Sequence, residues 1–362
     1  MKKNKILFAV SSLGLGHATR TLSVIKFFLD KQYQIDIISF WNALNYLKNE
    51  LKEKKVNFIE LQDYPPLERG SGIMFYFYLI FDLLKTKYLI KKEHNFVEKI
   101  SKKYDFIISD WRYWVYSKKI PSYLISHQIS FVMPEKLWFF QKISDLQNKK
   151  YFKKFDKILI PDFENKKNNL AWKLSHPSWI NSINHSYIWI LSDFFEKKEI
   201  KYNNEKIDFL FTITWYLQEH KKDFVEKLLN QAKKLPWKKV FILWDTSQKY
   251  IKKLENNIFL HSFVSGEEKK QLYKNAEIII SRTGYTTVMD LIELEKKAIL
   301  FPTPNQTEQE YLAKYLEEKK YFVIWKKASE LLDLVQKIKE IKWVNFENKT
   351  KKSLENIEKI VL

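Results

Sequence analysis

The chain has no cysteine and only six glycines in 362 residues. Without cysteine there are no disulfides and no thiolate metal sites, which fits a reducing compartment. Long apolar runs are missing too. The longest, "IMFYFYLIFDLL" at 73–84, has 12 residues and contains Asp82, short of the roughly 20 that a membrane-spanning helix needs. The opening "MKKNKILFAVSSLGLG" imitates a secretory leader, but no small-x-small cleavage site follows. "HATRTLSVIKFFLDKQY" continues instead as an amphipathic helix, with Leu22, Ile25, Phe28 and Leu29 at helical spacing. A cytoplasmic protein that opens on a strand is expected. Acidic residues are outnumbered, 43 Asp+Glu against 63 Lys+Arg, for a formal charge of +20. That balance favours an anionic partner: nucleic acid, an anionic membrane face or a phosphorylated substrate. The lysines are spread rather than clustered and no nucleic-acid module is recognisable, so no nucleic-acid partner is expected. Solvated lysine faces are the plainer account of the same charge.

Hydrophobic residues make up 45% of the chain, enough for real cores, and its length calls for two domains. Apolar runs at 5–11, 34–40, 57–61, 105–110, 121–126, 157–162, 207–214, 239–244, 257–263, 276–281, 297–303 and 321–325 read as strands. Each is continuous rather than alternating, the pattern of strands buried on both faces of a parallel sheet. Helical stretches such as 221–234 and 306–319 alternate with them. The fold class is therefore α/β, in two doubly wound, Rossmann-like halves. The polar "EKKEIKYNNEK" at 196–206 reads as the linker between domains at 1–195 and 207–342, with a C-terminal helix in 343–362.

Two of the scarce glycines stand together in "FAVSSLGLGHATRTL" (8–22), directly after the first strand. Ligands of open α/β sheets bind beyond the carboxyl ends of strands. There glycine permits a tight turn and lets backbone N–H groups approach an anion. Gly14 and Gly16 suit that need, as they would suit a purely structural turn. Thr19 stands where the dinucleotide fingerprint has Gly or Ala.

The stretch "AEIIISRTGYTTVMDLIELEKKAILFPTPNQTEQEYLAKYL" (276–316) repeats the logic. A strand ends at Ser281, Arg282 follows it, Gly284 supplies a turn, and Thr286 or Thr287 is placed to cap a helix whose N-terminus faces a ligand. Asp290 lies on the first turns of that helix. Gln309 and Glu310 begin another helix after a proline-framed loop. A diphosphate at the helix N-terminus, a carboxylate for ribose hydroxyls and an amide–carboxylate pair for sugar hydroxyls make a nucleotide-sugar site. An ordinary strand–turn–helix with surface polar residues is the alternative.

These segments resemble the GT-B glycosyltransferases of the MurG-like class, glycosyltransferase family 28, over most of the chain. "GLGHATR" is similar to the family's N-terminal Gly-x-Gly-His loop, and 276–316 to its donor-site segment. The resemblance implies a GT-B fold: two Rossmann-like domains with parallel sheets facing across a cleft, and a C-terminal helix packed back on the first domain. It implies a UDP-sugar co-substrate of the N-acetylhexosamine kind, no other cofactor, and a glycan or lipid-linked acceptor. Asp290 stands where the family has a ribose-binding glutamate, and Gln309 and Glu310 where it has a Gln pair on the donor sugar. "IPSYLISHQISF" (120–131) resembles the segment before the acceptor pocket, which places His127 and Gln128 at the cleft. A subgroup pattern, SD-x-RYG-x-YS…IP…SHQ, is matched by "SDWRYWVYSKKIPSYLISHQ" except at two positions, both Trp, and sets Asp110 and Arg112 on the acceptor side.

An inverting transferase of this kind needs a general base for the acceptor hydroxyl and a positive environment for the departing nucleoside diphosphate. His17, held at the loop by Gly16, is the base candidate, and His127 is the second choice. Helix N-termini after Gly14/Gly16 and Gly284, with Arg282, are placed to stabilise the leaving group. No Asp-x-Asp occurs, which agrees with a site that uses no metal. A nucleotide-sugar 2-epimerase or hydrolase of the same fold and a non-catalytic sugar-nucleotide-binding protein are the competing readings. The aromatic run at 73–92, with Lys85, Lys87, Lys91 and Lys92, resembles an interfacial anchor on an anionic membrane. It predicts a peripheral position on the inner face, against the alternative of a buried helix.

Glycine's share, under about 2% where about 7% is usual, has a counterpart in twelve tryptophans. Trp41, Trp111, Trp215, Trp244 and Trp325 follow or close apolar strands, where the tight turn often needs positive φ. Trp114 and Trp189 stand where relatives have glycine. A bulky side chain is a poor occupant of such turns. Counting the tryptophans as glycines restores an ordinary glycine content. The expectation is that most of them are UGA codons of a genome that reads UGA as glycine; a Trp-rich core or an aromatic sugar platform is the alternative.

Overall fold

The computed structural model describes residues 4–64, 73–132, 140–195, 205–213, 221–244, 250–264, 266–304, 306–326, 330–341 and 345–362, without the side chains of 73–85, 87 and 221–223. The chain forms two units, Met1–Asp193 with Thr350–Leu362, and Phe194–Lys349. Most of the stretch read as a linker, and Trp215, lie outside the described residues.

In the first unit, strands β1 (Lys5–Val10), β2 (Gln34–Ser39), β3 (Val56–Glu60), β4 (Phe106–Asp110), β5 (Ser122–Ile125), β6 (Lys157–Ile160) and β7 (His185–Tyr187) form one sheet. Its order is β3-β2-β1-β4-β5-β6-β7, and every pairing is parallel. Helices α1 (Leu15–Asp30), α2 (Trp41–Glu50), α3 (Ile73–Ile100), α4 (Gln141–Phe152) and α5 (Trp172–Ser175) lie between the strands in the chain. β4 and β5 are buried along their whole length, which is why these runs read as continuously apolar. The inward stripe of α1, Ala18, Leu22, Ile25 and Phe28, is fully buried. The strand order reverses between β1 and β4, and that reversal opens a crevice at their carboxyl ends.

In the second unit, β8 (Ile207–Thr212), β9 (Lys239–Ile242), β10 (Ile251–Leu254), β11 (Ile258–His261), β12 (Ala276–Arg282), β13 (Lys297–Phe301) and β14 (Val323–Ile324) follow the order β10-β11-β9-β8-β12-β13-β14. Among the described strands only the β10–β11 pair is antiparallel. The helices are α6 (Lys221–Lys233), α7 (Gly266–Asn275), α8 (Tyr285–Leu294), α9 (Thr307–Glu318) and α10 (Leu331–Glu340). The reversal here falls between β8 and β12. The last helix, α11 (Thr350–Val361), belongs to the first unit. It buries Leu354 and Ile357, accepts the Ser192 N–H on Thr350 Oγ1 at 2.9 Å, and pairs Glu358 with Lys31 of α1 at 2.9 Å.

Trp41, Trp111, Trp189 and Trp244 have φ of 48°, 62°, 60° and 53°. They stand just after β2, β4, β7 and β9, where the sequence places turns that want glycine. A left-handed backbone costs an L side chain about 1–2 kcal/mol per residue. Trp114 and Trp325 have ordinary backbones, so the expectation of glycine has no conformational support there. Trp114 instead carries the Lys154 Nζ over its ring, 3.5 Å from the centroid.

Among the described residues no helix is long and apolar enough to cross a membrane. The run at 73–92 lies within α3. Lys91 and Lys92 on it are exposed, whereas the side chains of 73–85 and Lys87 lie outside the described residues.

Candidate active site

The glycine loop closes the switch point of the first unit. Gly14, at φ 90° and ψ 152°, caps α1, a backbone that a side chain rarely adopts. His17 follows on the first turn of α1. Its Nδ1 lies 2.9 Å from Asp110 Oδ1 at the end of β4, and its side chain is 12% exposed. Asp110 is fully buried and accepts from Thr21 Oγ1 at 2.6 Å, from Arg20 Nε at 2.7 Å, and from Arg20 Nη2. Burial alone would raise the Asp110 pKa, but the charge of Arg20, followed by that of His17, outweighs it and holds the group well below the usual carboxylate range.

This network assigns the tautomers. A guanidinium only donates, and the carboxylate is the strongest acceptor beside His17. His17 Nδ1 faces both Asp110 Oδ1 at 2.9 Å and Arg20 Nη2 at 3.0 Å. With the fully buried carboxylate taken as the governing partner, Nδ1–H donates to Asp110 and Nε2 keeps its lone pair. Arg20 Nη1 lies 2.9 Å from His127 Nδ1, so His127 accepts there and carries its proton on Nε2. The two histidines are thus unlike: His17 is set up to take a proton and His127 to donate one.

Asp63, after β3, fastens the loop. Its Oδ2 accepts from Ser12 N at 2.5 Å, Ser12 Oγ at 3.0 Å and Ser11 Oγ at 3.1 Å. Burial pushes its pKa up, and the Arg112 charge with the Ser12 and Tyr64 hydrogen bonds brings it below the ordinary value. Arg112 is fully buried, donating to Glu93 Oε1 at 2.6 Å and to the Leu61 and Gln62 carbonyls at 3.2 and 3.3 Å. Arg112, expected on the acceptor side, braces the segment that carries Asp63. Gln128 follows β5 and is 7% exposed.

In the second unit, Ser281 Oγ and Thr212 Oγ1 meet at 2.7 Å and tie β12 to β8. The Arg282 guanidinium is stacked between Phe224 and Phe301, 4.5 and 4.7 Å from their ring centroids, and donates to the Pro302 carbonyl at 3.0 Å. Burial lowers its pKa to about 10. In this position it braces the loop after β13 instead of presenting a charge at the end of β12. Gly284 is the N-cap of α8, with φ −84° and ψ 140°. Thr286 and Thr287 lie inside its first turn, so neither caps it. Gly284 has a backbone that any residue adopts, and a Cβ there would meet Thr287 Oγ1 at an ordinary 3.6 Å. Neither turn geometry nor packing demands that glycine.

Asp290 is 4% exposed, with Lys269 of α7 3.4 Å from Oδ2. Gln309, in the first turn of α9, accepts on Oε1 from Thr303 N and Oγ1, both at 2.9 Å, and donates to Gln306 Oε1 at 2.6 Å. Glu310 beside it is exposed.

Sequence reasoning missed Arg20 and Asp63. Arg20 lies off the apolar stripe Ala18, Leu22, Ile25 and Phe28 and so had no sequence signal. Asp63, in the "LQDY" that follows a strand, had none. Among the described residues no group of His, Asp and Glu is arranged to hold a metal ion.

A chain of two doubly wound units with its polar network at a strand-order reversal has the GT-B architecture. Solved structures share it. Over 100% of this chain and 94% of theirs, CalG4, the calicheamicin glycosyltransferase, aligns with a TM-score of 0.61 at 12% identity. UGT89C1 of Arabidopsis thaliana, complexed with UDP-L-rhamnose, gives 0.60 at 11% identity over 100% and 99% of the two chains. MurG of Acinetobacter baumannii gives 0.52 at 15% over 98% and 94%. Residues 218–361 match the family model described as Glycosyltransferase family 28 C-terminal domain. No curated protein matches the chain.

Proposed function

We propose that this protein is a glycosyltransferase that moves a sugar, an N-acetylhexosamine, from a UDP-sugar to an acceptor hydroxyl, with inversion and without metal. The observation that carries the reading is the His17–Asp110 pair at the switch point of the first unit. Asp110 fixes the Nδ1–H tautomer, so Nε2 accepts the acceptor's proton as its oxygen attacks the anomeric carbon and the bond to the diphosphate breaks. Asp110 is a positioning residue that stabilises the imidazolium as it forms. The family match over 218–361 and the similarity to glycosyltransferases support the reaction class, and the absence of Asp-x-Asp supports independence from metal.

The donor belongs to the second unit in this reading. Gly284 is explained by a diphosphate that approaches the backbone at the N-terminus of α8, with Thr286 and Thr287 as hydroxyl donors, Asp290 toward the ribose, and Gln309 and Glu310 toward the sugar. Asp290→Ala and Gln309→Ala are each expected to weaken UDP-sugar binding by about 1–3 kcal/mol, measured by calorimetry. Unchanged binding in both would remove the donor site from these residues. The deciding experiment offers UDP-sugars with and without acceptors. Release of UDP only with an acceptor supports transfer; turnover with the donor alone makes the protein a hydrolase or epimerase.

The acceptor in this reading is lipid-linked, met on an anionic membrane surface by α3. Binding to anionic liposomes at low salt is expected to fall in Lys91→Glu/Lys92→Glu while soluble donor binding persists. Absence of liposome binding by the parent chain would make the acceptor a soluble glycan.

A further inference from the structure

We propose that positions 41, 111, 189 and 244 are glycine in the protein as its own cell makes it, and that glycine at 111 opens an acceptor pocket beside His17. The pocket's role rests on the transferase reading; the residue identities do not.

Ten described non-glycine residues are left-handed, and four of them are Trp. Three others are Asn, which tolerates that region. The chain has 27 Phe and 20 Tyr against 12 Trp, yet no described Phe or Tyr is left-handed. An aromatic core or sugar platform would recruit Phe and Tyr to the same places. The remaining three, Gln32, Glu295 and Lys320, stand at the ends of helices. Among the described aromatic residues only tryptophan is left-handed, and each of the four follows a strand, as the left-handed Gly14 follows β1.

The indoles gain little in return. Trp41 is 65% exposed. The Nε1 atoms of Trp111 and Trp244 are buried without a hydrogen-bond partner, a cost that native interiors avoid. Trp114 shows the contrast, an ordinary backbone with a lysine over its ring.

At position 111 the exchange reaches the chemistry. The Trp111 ring centroid lies 5.5 Å from that of His17, 5.6 Å from Tyr113 and 6.1 Å from Phe131. The indole fills the space beside the base at the carboxyl end of β4. With glycine there, His17, Tyr113 and Phe131 line a partly aromatic recess suited to a hydroxyl-bearing ring.

The test starts from protein isolated from cells that carry the gene. Peptides covering positions 41, 111, 189 and 244 should have the masses of glycine-containing sequences, and the codons should be UGA. Tryptophan at these positions, or UGG codons, overturns the assignment. The pocket is read without any transfer activity, from carbethoxylation of His17 by diethyl pyrocarbonate in the chain with tryptophan at all four positions. Trp111→Gly should speed modification of His17 several-fold, and Trp41→Gly should leave it unchanged. Equal rates in a folded Trp111→Gly variant overturn the pocket. Should that single variant fail to fold, the chain with glycine at all four positions carries the same readout and should also melt at a higher temperature than the tryptophan chain. Faster modification of His17 with no turnover of any UDP-sugar leaves the pocket standing and sinks the transferase reading.

Discussion

His17→Ala is expected to lower kcat by roughly 10²–10⁴-fold, the usual worth of a general base, with UDP-sugar affinity nearly kept. The split follows from where the groups sit. In the proposed reading His17 Nε2 acts on the acceptor's proton, whereas the donor contacts are carried by the second unit. Removing a group that acts only in the transition state lowers kcat and kcat/KM together. Asp110→Asn should lower kcat by a comparable factor for a different reason. An amide can donate to His17 Nδ1, which moves the imidazole proton to Nε2 and leaves the base in the wrong tautomer. Steady-state kinetics with donor calorimetry check both variants. A parallel loss of donor affinity in His17→Ala would make the glycine loop a binding element without a base.

The architecture was legible because parallel strands buried on both faces are continuously apolar. Each of the twelve apolar runs read as strands overlaps one. Two strands were not legible. β7 is a half-buried "HSY" of three residues, and β10, "IKKL", is an exposed antiparallel edge. Neither buries two faces, so neither carries the signal. The candidate site was legible where glycine marks it. Gly-x-Gly-His announced His17, but its partner lies 93 residues away on another strand, and spacing says nothing about which strands become neighbours. The same limit applies to buried ion pairs: Arg20, Arg112 and Glu93 look like surface charges until topology brings their partners to them. The α8 cap was misjudged because threonine is the better N-cap by propensity, yet the helix begins one residue after Gly284 and draws both threonines into its first turn.

Arg20→Ala is expected to destabilise the first unit by about 3–5 kcal/mol, the cost of leaving a buried charge without its partner. Asp110 would lose two of its hydrogen bonds and its cation while still fully enclosed, and His127 would lose the donor to its Nδ1. The acid side of the stability profile distinguishes this from simple cavity creation. In the parent chain the folded pKa of Asp110 lies below its unfolded value. Its contribution is therefore fully present above about pH 4 and is lost as pH falls through the lower folded value. Without Arg20 the depression shrinks or reverses, because burial then dominates. The variant should lose less stability than the parent as pH falls below that point, and the two denaturation curves should converge in acid. Chemical denaturation at neutral and acid pH measures both quantities. A neutral-pH loss that stays constant into acid would mean that the arginine acts through packing, and that the charge of Asp110 is held by His17 and Thr21 alone.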